Sequence, residues 1–184
     1  DALYAFTNCE VSISPNCCII VEERPQFTDV RSVLKRCTEQ TKELLRRELE
    51  IRKGELEDKL HMSSLEKIFI ENRIYRDIEE EETWEGVIEA IDRGLDPFKP
   101  QLFREVTRDD IIRLTEIKIK RISKFDSFKA DEYIKGLLEE LEQVKYDLAH
   151  LNDYTIAYYE RLKEKFGKGR ERKTEIRTFD TIDA

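Results

Sequence analysis

The sequence predicts a mainly α-helical fold: a long antiparallel coiled-coil hairpin with a small helical tip and a few short β-strands at its base. Only 6 glycines and 4 prolines occur in 184 residues, so few positions break a helix. Charged residues make up 40% of the chain. This exceeds the roughly 25% of an average globular domain and favours long, solvent-exposed helices. Two long apolar patterns of helical period flank a compact insert, and such helices usually fold back on each other.

Composition also excludes several classes of protein. No apolar run approaches the ~18 residues of a membrane span, and the start of the chain lacks the basic and apolar regions of a signal peptide. We therefore expect a cytoplasmic protein, with no membrane partner. The net charge of −8 argues against extensive nucleic-acid binding, which normally needs a basic surface.

The first two predicted segments are a short β region and a long helix. Residues 1–27 contain short alternating and β-branched runs that favour two or three strands. Residues 28–78 form the first long helix, capped by Thr28 or Asp29, with apolar side chains recurring every three or four residues. Gly54 interrupts this pattern and is the one place where we expect a bend.

A compact segment, residues 79–126, separates the two long helices and is called the helical tip below. We expect the acidic run at its start to be a solvated helix end, Thr83 to cap a short helix, and a proline-rich stretch to follow as a rigid connector. Thr107 begins a further helix with Asp110 at capping-box spacing. As one helix over 108–124, its isoleucines and leucine cover an arc of about 220°, which predicts packing on two sides at once.

Residues 127–167 form the predicted return helix, whose heptad pattern is the most regular in the chain. Its expected coiled-coil core is Leu137, Leu141, Val144, Leu148, Leu151, Tyr158 and Leu162. Residues 168–184 are a basic exit segment that alternates weakly, as a final strand would. Its cations are Arg170, Arg172 and Lys173. They could contact DNA weakly, or they could simply be the solvated cations of a helix end.

The sequence predicts no catalytic, cofactor or metal site in the chain. The glycines never cluster into a phosphate-binding loop, and no Ser/His/Asp or Cys/His arrangement stands out. The two histidines, His61 and His150, lie in unrelated helical contexts. Zinc sites need three or four ligands at chelating spacing, and reduced thiols are the simpler expectation for the cysteines, Cys9, Cys17, Cys18 and Cys37.

Three ordered stretches resemble the A subunits of bacterial type IIA topoisomerases, DNA gyrase and topoisomerase IV, and are most similar to topoisomerase IV. The first is Leu3-Tyr4-x-x-Thr7, followed by Asn16 and the Val33-Leu34 helix start. The second runs without a gap from Val106 to Asp126. The third is Phe166-Gly167-x-x-Arg170-x-x-Lys173-Thr174, which is similar to that family's closing motif.

This resemblance implies that the chain is the coiled-coil arm and dimer gate (the C-gate) of a larger enzyme. Such an enzyme passes one DNA duplex through a double-strand break in another. Its nucleophilic tyrosine would lie outside these residues, and ATP and Mg²⁺ would be held by the B subunit. The isolated fragment would then be inactive, with weak or no binding to duplex DNA of its own.

We further predict a homodimer formed through the helical tip. The heptads are needed within each chain, whereas helix 108–124 has apolar surface to spare for a two-fold partner. The predicted gate residues are Ile111, Leu114, Ile117 and Ile119. The alternative is an unrelated coiled-coil scaffold or tether with no enzymatic parent.

Overall fold

The computed structural model describes residues 2–9, 11, 13–14 and 16–174. The chain forms two compact units, Asp1–Leu45 and Arg46–Ala184, and helix α2 contributes to both. The elements are α1 (Ala2–Phe6), β1 (Cys17–Val21), β2 (Arg24–Thr28), α2 (Val30–Glu71), α3 (Trp84–Leu95), α4 (Arg108–Thr115), α5 (Ile119–Ser123), α6 (Ser127–Ala149) and α7 (Leu151–Phe166). The predicted mainly α-helical fold with a few short strands is confirmed.

In the first unit, β1 and β2 pair as an antiparallel hairpin with Val21 opposite Arg24. The two turn residues, Glu22 and Glu23, have φ values of 48° and 64°. Positive φ at both positions matches the right-handed twist of a hairpin, although glycine or asparagine is usual there. Pro25, which has no backbone N–H to donate, lies within β2.

Helix α2 begins after Asp29, whose carboxylate accepts a 2.8 Å hydrogen bond from the backbone N–H of Ser32. This is the N-cap interaction predicted from the sequence. The helix continues through Gly54 without interruption and ends at Glu71, before the predicted end at residue 78. It ends there because Arg73 adopts a left-handed conformation, φ 55° and ψ 31°, which α-helix cannot continue.

In the second unit, α2 and α6 run antiparallel. Arg52 of α2 forms an ion pair with Glu140, and Lys67, four turns later, pairs with Asp131 of the same return helix. Such exposed pairs contribute little energy, but their order along the two helices shows the antiparallel direction. The packing comes from one buried apolar cluster: Leu49, Leu56, Leu60, Leu137, Leu141 and Val144.

Two predicted helices are each divided. The helix expected over 108–124 is broken at residues 116–118, where Lys118 is extended with ψ 138°. The predicted apolar arc of about 220° was calculated for one continuous helix. Because the segment is two short helices, neither of them carries an apolar face that wide. The return helix is broken at His150, whose φ of −115° and ψ of 43° are not helical.

Candidate functional site at the helical tip

The helical tip shares its hydrophobic core with the last turns of α2. Leu65 and Phe69 of α2 pack with Ile91 and Leu95 of α3 and with Leu114 of α4, and each of these side chains is at most 2% exposed. A close-packed interior of this kind has few alternative arrangements. The tip's surface groups are therefore held in fixed positions relative to α2.

A polar cluster centred on Asp110 lies beside this core. Asp110 is 2% exposed, and its Oδ2 accepts hydrogen bonds from the backbone N–H and the hydroxyl of Thr107, at 3.0 and 2.8 Å. The Arg104 guanidinium donates to both carboxylate oxygens, at 2.7 and 3.0 Å, and also to Asp58 of α2 at 3.2 Å. The predicted capping box is thus present, and Arg104 connects it to the long helix.

The electrostatics of this cluster keep Asp110 ionised. Burial alone raises the pKa of the Asp110 carboxyl. The hydrogen bonds from Arg104 and Thr107 and the charge of Arg104 outweigh burial, so this pKa lies well below its ordinary value. Hydrogen bonds to the charged form have this effect because they are lost on protonation.

His61 completes the cluster from α2. Its ring is fully buried, with Nε2 3.3 Å from Asp110 Oδ2, and Nδ1 has no hydrogen-bond partner within the described residues. Burial lowers the pKa of His61, the nearby charge of Arg104 lowers it further, and Asp110 opposes both. His61 is therefore a neutral, inaccessible side chain that joins α2 to α4, and it cannot reach a substrate.

An open groove of about 790 Å³ lies between α2 and the α4–α5 segment. It is lined by the apolar side chains Met62, Leu114 and Ile117. Cations outnumber acids around it: its charged lining consists of Lys59, Glu66, Arg113, Glu116, Lys118, Lys120, Arg121 and Lys124.

The four predicted gate residues have different environments. Ile111 and Leu114 are 3% and 1% exposed, so they belong to the tip's own core and offer no surface to a partner. Ile117 is half-buried against that core. Ile119 is 83% exposed. Of the four, only Ile119 presents its whole side chain to solvent.

The predicted coiled-coil residues are buried at the start of the return helices and half-buried further along. Leu137, Leu141 and Val144 are buried in the cluster with α2, and Leu148 and Leu151 pack at its edge. The two remaining residues, Tyr158 and Leu162, are half-buried.

The basic exit segment carries no secondary structure between residues 168 and 174, and residues 175–184 lie outside the described part. Arg170, Arg172 and Lys173 are exposed. No group of three or more His, Cys, Asp or Glu side chains in the described residues is placed to hold a metal ion. The four cysteines are free thiols.

Sequence reasoning missed most of the polar cluster. The spacing of Thr107 and Asp110 indicated the capping box, but nothing local links Asp110 to Arg104 or to His61, which is 49 residues away. The one available signal was a histidine at an apolar position of the heptad-like pattern of α2. A polar side chain on a core face needs a buried partner.

Comparisons with known proteins agree with the resemblance seen in the sequence. A model of the family of DNA gyrase and topoisomerase IV A subunits matches residues 1–162. A relative named as the A subunit of DNA topoisomerase 4, from Borreliella burgdorferi, is 32% identical over 176 residues, which are 96% of this chain. The matched part is 28% of that relative's length. Within the described residues, no helix has both the length and the apolar character that crossing a membrane requires.

Proposed function

Because the chain belongs to the family of DNA gyrase and topoisomerase IV A subunits, we propose that it is the arm and dimer gate of such a type II topoisomerase chain. The antiparallel packing of α2 on α6 supplies the arm, and the helical tip supplies the contact between two copies. Family membership excludes the unrelated scaffold considered from the sequence alone.

The parent enzyme would change DNA topology by passing one duplex through a double-strand break in another. Its nucleophilic tyrosine would lie outside these residues. ATP and Mg²⁺ would be bound by a B subunit, and this segment alone would be inactive. The chain spans less than a third of its relative's length.

The observation that carries the gate proposal is the exposure of Ile119 on α5. Its side chain is 83% exposed, compared with 53% for Trp84 and 51% for Phe103, the other large apolar side chains exposed on the tip within the described residues. An isoleucine loses up to about 3 kcal/mol of favourable transfer energy by remaining in water. A two-fold contact buries it twice, once from each copy.

Substituting Ile119 tests the gate directly. We expect the wild-type chain to have twice the 22.0 kDa mass of one chain by light scattering, at concentrations where Ile119→Glu is monomeric. A carboxylate buried at an apolar contact without a partner is strongly unfavourable. Helicity should be unchanged, because the Ile119 side chain is 83% exposed in the single chain. Ile117, which packs against the core, is a poorer choice since its loss would also disturb the fold.

Ile156→Glu is the matched control. Ile156 is an exposed isoleucine, 56% accessible, on α7 rather than on the tip. This variant should remain dimeric. A wild-type chain that stays monomeric at high concentration would refute the gate, and a dimeric Ile119→Glu variant would place the contact elsewhere.

A further inference from the structure

The groove beside α5 has an unusual charge for this chain. Residues 117–124 contain four cations and no acidic side chain, whereas the whole chain has a net charge of −8. The groove gathers Lys118, Lys120, Arg121 and Lys124 together with Lys59 of α2. Positive charge is therefore concentrated on one part of an otherwise acidic molecule.

Internal ion pairs do not neutralise this charge. The two arginines are occupied, because Arg121 pairs with Glu66 and Arg113 with Asp58, the latter at 3.3 Å. The four lysines that line the groove differ: within the described residues, none has a carboxylate within 4.0 Å. They are Lys59, Lys118, Lys120 and Lys124. Four unpaired ammonium groups around one concave surface attract a polyanion.

We propose that this groove binds the phosphate backbone of duplex DNA, with the weak affinity expected of a chain whose net charge is −8. The inference rests on the proposed function, since it takes its ligand from an enzyme that handles duplexes. Lys118 and Lys124 flank α5 and are about 9 Å apart along a helix axis at 1.5 Å per residue. Phosphates of one strand follow each other every 3.4 Å along the duplex axis, so this span matches about three of them.

The geometry separates this surface from the proposed dimer contact. Ile119 does not line the groove. In a helix of 3.6 residues per turn, Lys120 and Lys124 lie about 100° to 140° around from Ile119. A second copy placed with its own groove on this one would bring like charges together, which is unfavourable. DNA therefore fits the groove better than a second copy does.

The test is a salt titration of DNA binding by the triple variant Lys118→Gln, Lys120→Gln, Lys124→Gln. Its control, Arg170→Gln, Arg172→Gln, Lys173→Gln, removes the same charge from the exit segment. Binding to a short blunt duplex of mixed sequence would be followed by fluorescence anisotropy between about 50 and 200 mM salt, and mass by light scattering. Each phosphate contact contributes about −0.9 to the slope of log K against log salt.

We expect the groove variant to reduce the magnitude of this slope by about 3 and to weaken binding at least tenfold at the lowest salt. The exit-segment variant should bind as the wild type does, and both should keep the wild-type mass. Equal losses in the two variants, or no loss in the groove variant, would overturn the proposal. So would a groove variant that becomes monomeric while its DNA affinity is unchanged, since its lysines would then serve the dimer. A monomeric wild type that binds DNA through the groove would contradict only the gate.

Discussion

Replacing Asp110 by asparagine should destabilise the helical tip far more than the size of the change suggests. Oδ2 of Asp110 accepts from the Thr107 N–H, the Thr107 hydroxyl, Arg104 Nη1 and, at 3.3 Å, faces His61 Nε2. Oδ1 accepts from the second Arg104 nitrogen. An asparagine has one oxygen, so whichever way its amide lies, its NH₂ group faces a donor.

The cost follows from how much of the cluster is buried. Removing one partner of a fully buried charged pair costs 3–5 kcal/mol, because the other charge is left without compensation. The Arg104 side chain is 39% exposed and can recover part of its hydration, whereas Asp110 itself is 2% exposed. We therefore expect a loss of about 2–3 kcal/mol in the free energy of unfolding.

Urea denaturation followed by circular dichroism measures this loss as a shift of the midpoint at constant m-value. Asp109→Asn is the matched control: it removes the same charge from the same helical turn at an exposed position, and should change stability by less than about 0.5 kcal/mol. If Asp110→Asn were as stable as Asp109→Asn, the polar cluster would not be holding the tip to α2, and the reasoning would be wrong.

Two further predictions concern glycine and histidine. Gly54→Ala should stabilise the chain by up to about 1 kcal/mol, since a Cβ there meets nothing within 4 Å. Gly94→Ala should destabilise the chain by about 1–3 kcal/mol, because the new Cβ would lie 2.7 Å from the buried side chain of Ile74. Thermal melts of the two glycine variants measure both changes in stability. For His61, burial and Arg104 lower the pKa in the folded state, so below about pH 6.5 the unfolded chain binds a proton that the folded chain does not. The free energy of unfolding should therefore decrease as the pH is lowered below about 6.5, by at most about 1.4 kcal/mol per pH unit. The variant His61→Gln should remove this decrease, whereas His150→Gln should keep it.

The features that sequence predicted well are those set by neighbouring residues. Asp29, Thr83 and Thr107 each precede a helix and accept hydrogen bonds from its first turn. A capping interaction spans only two or three residues, so its signal is complete within a short window. The heptad pattern likewise indicated which face of α6 is buried, because that face repeats with the helix itself.

The features that sequence did not predict depend on contacts between distant segments. The breaks at residues 116–118 and at His150 interrupt stretches whose apolar period continues across them, and no glycine or proline marks either. The left-handed Arg73, which ends α2, is equally unmarked, since a non-glycine residue adopts that conformation only where surrounding packing compensates. The Arg104 and His61 contacts to Asp110 join different elements, and local propensity carries no information about them.

The shared core of α2 and the helical tip has a mechanical consequence. Leu65 and Phe69 belong to the long helix and to the tip's interior alike, and Arg104 adds a polar connection to Asp58. Close-packed interiors deform little, so this part of α2 and the tip move as one body. Lys59 and Glu66 of α2 also line the groove. A rotation of this part of α2 about its axis would therefore rotate the groove by the same angle.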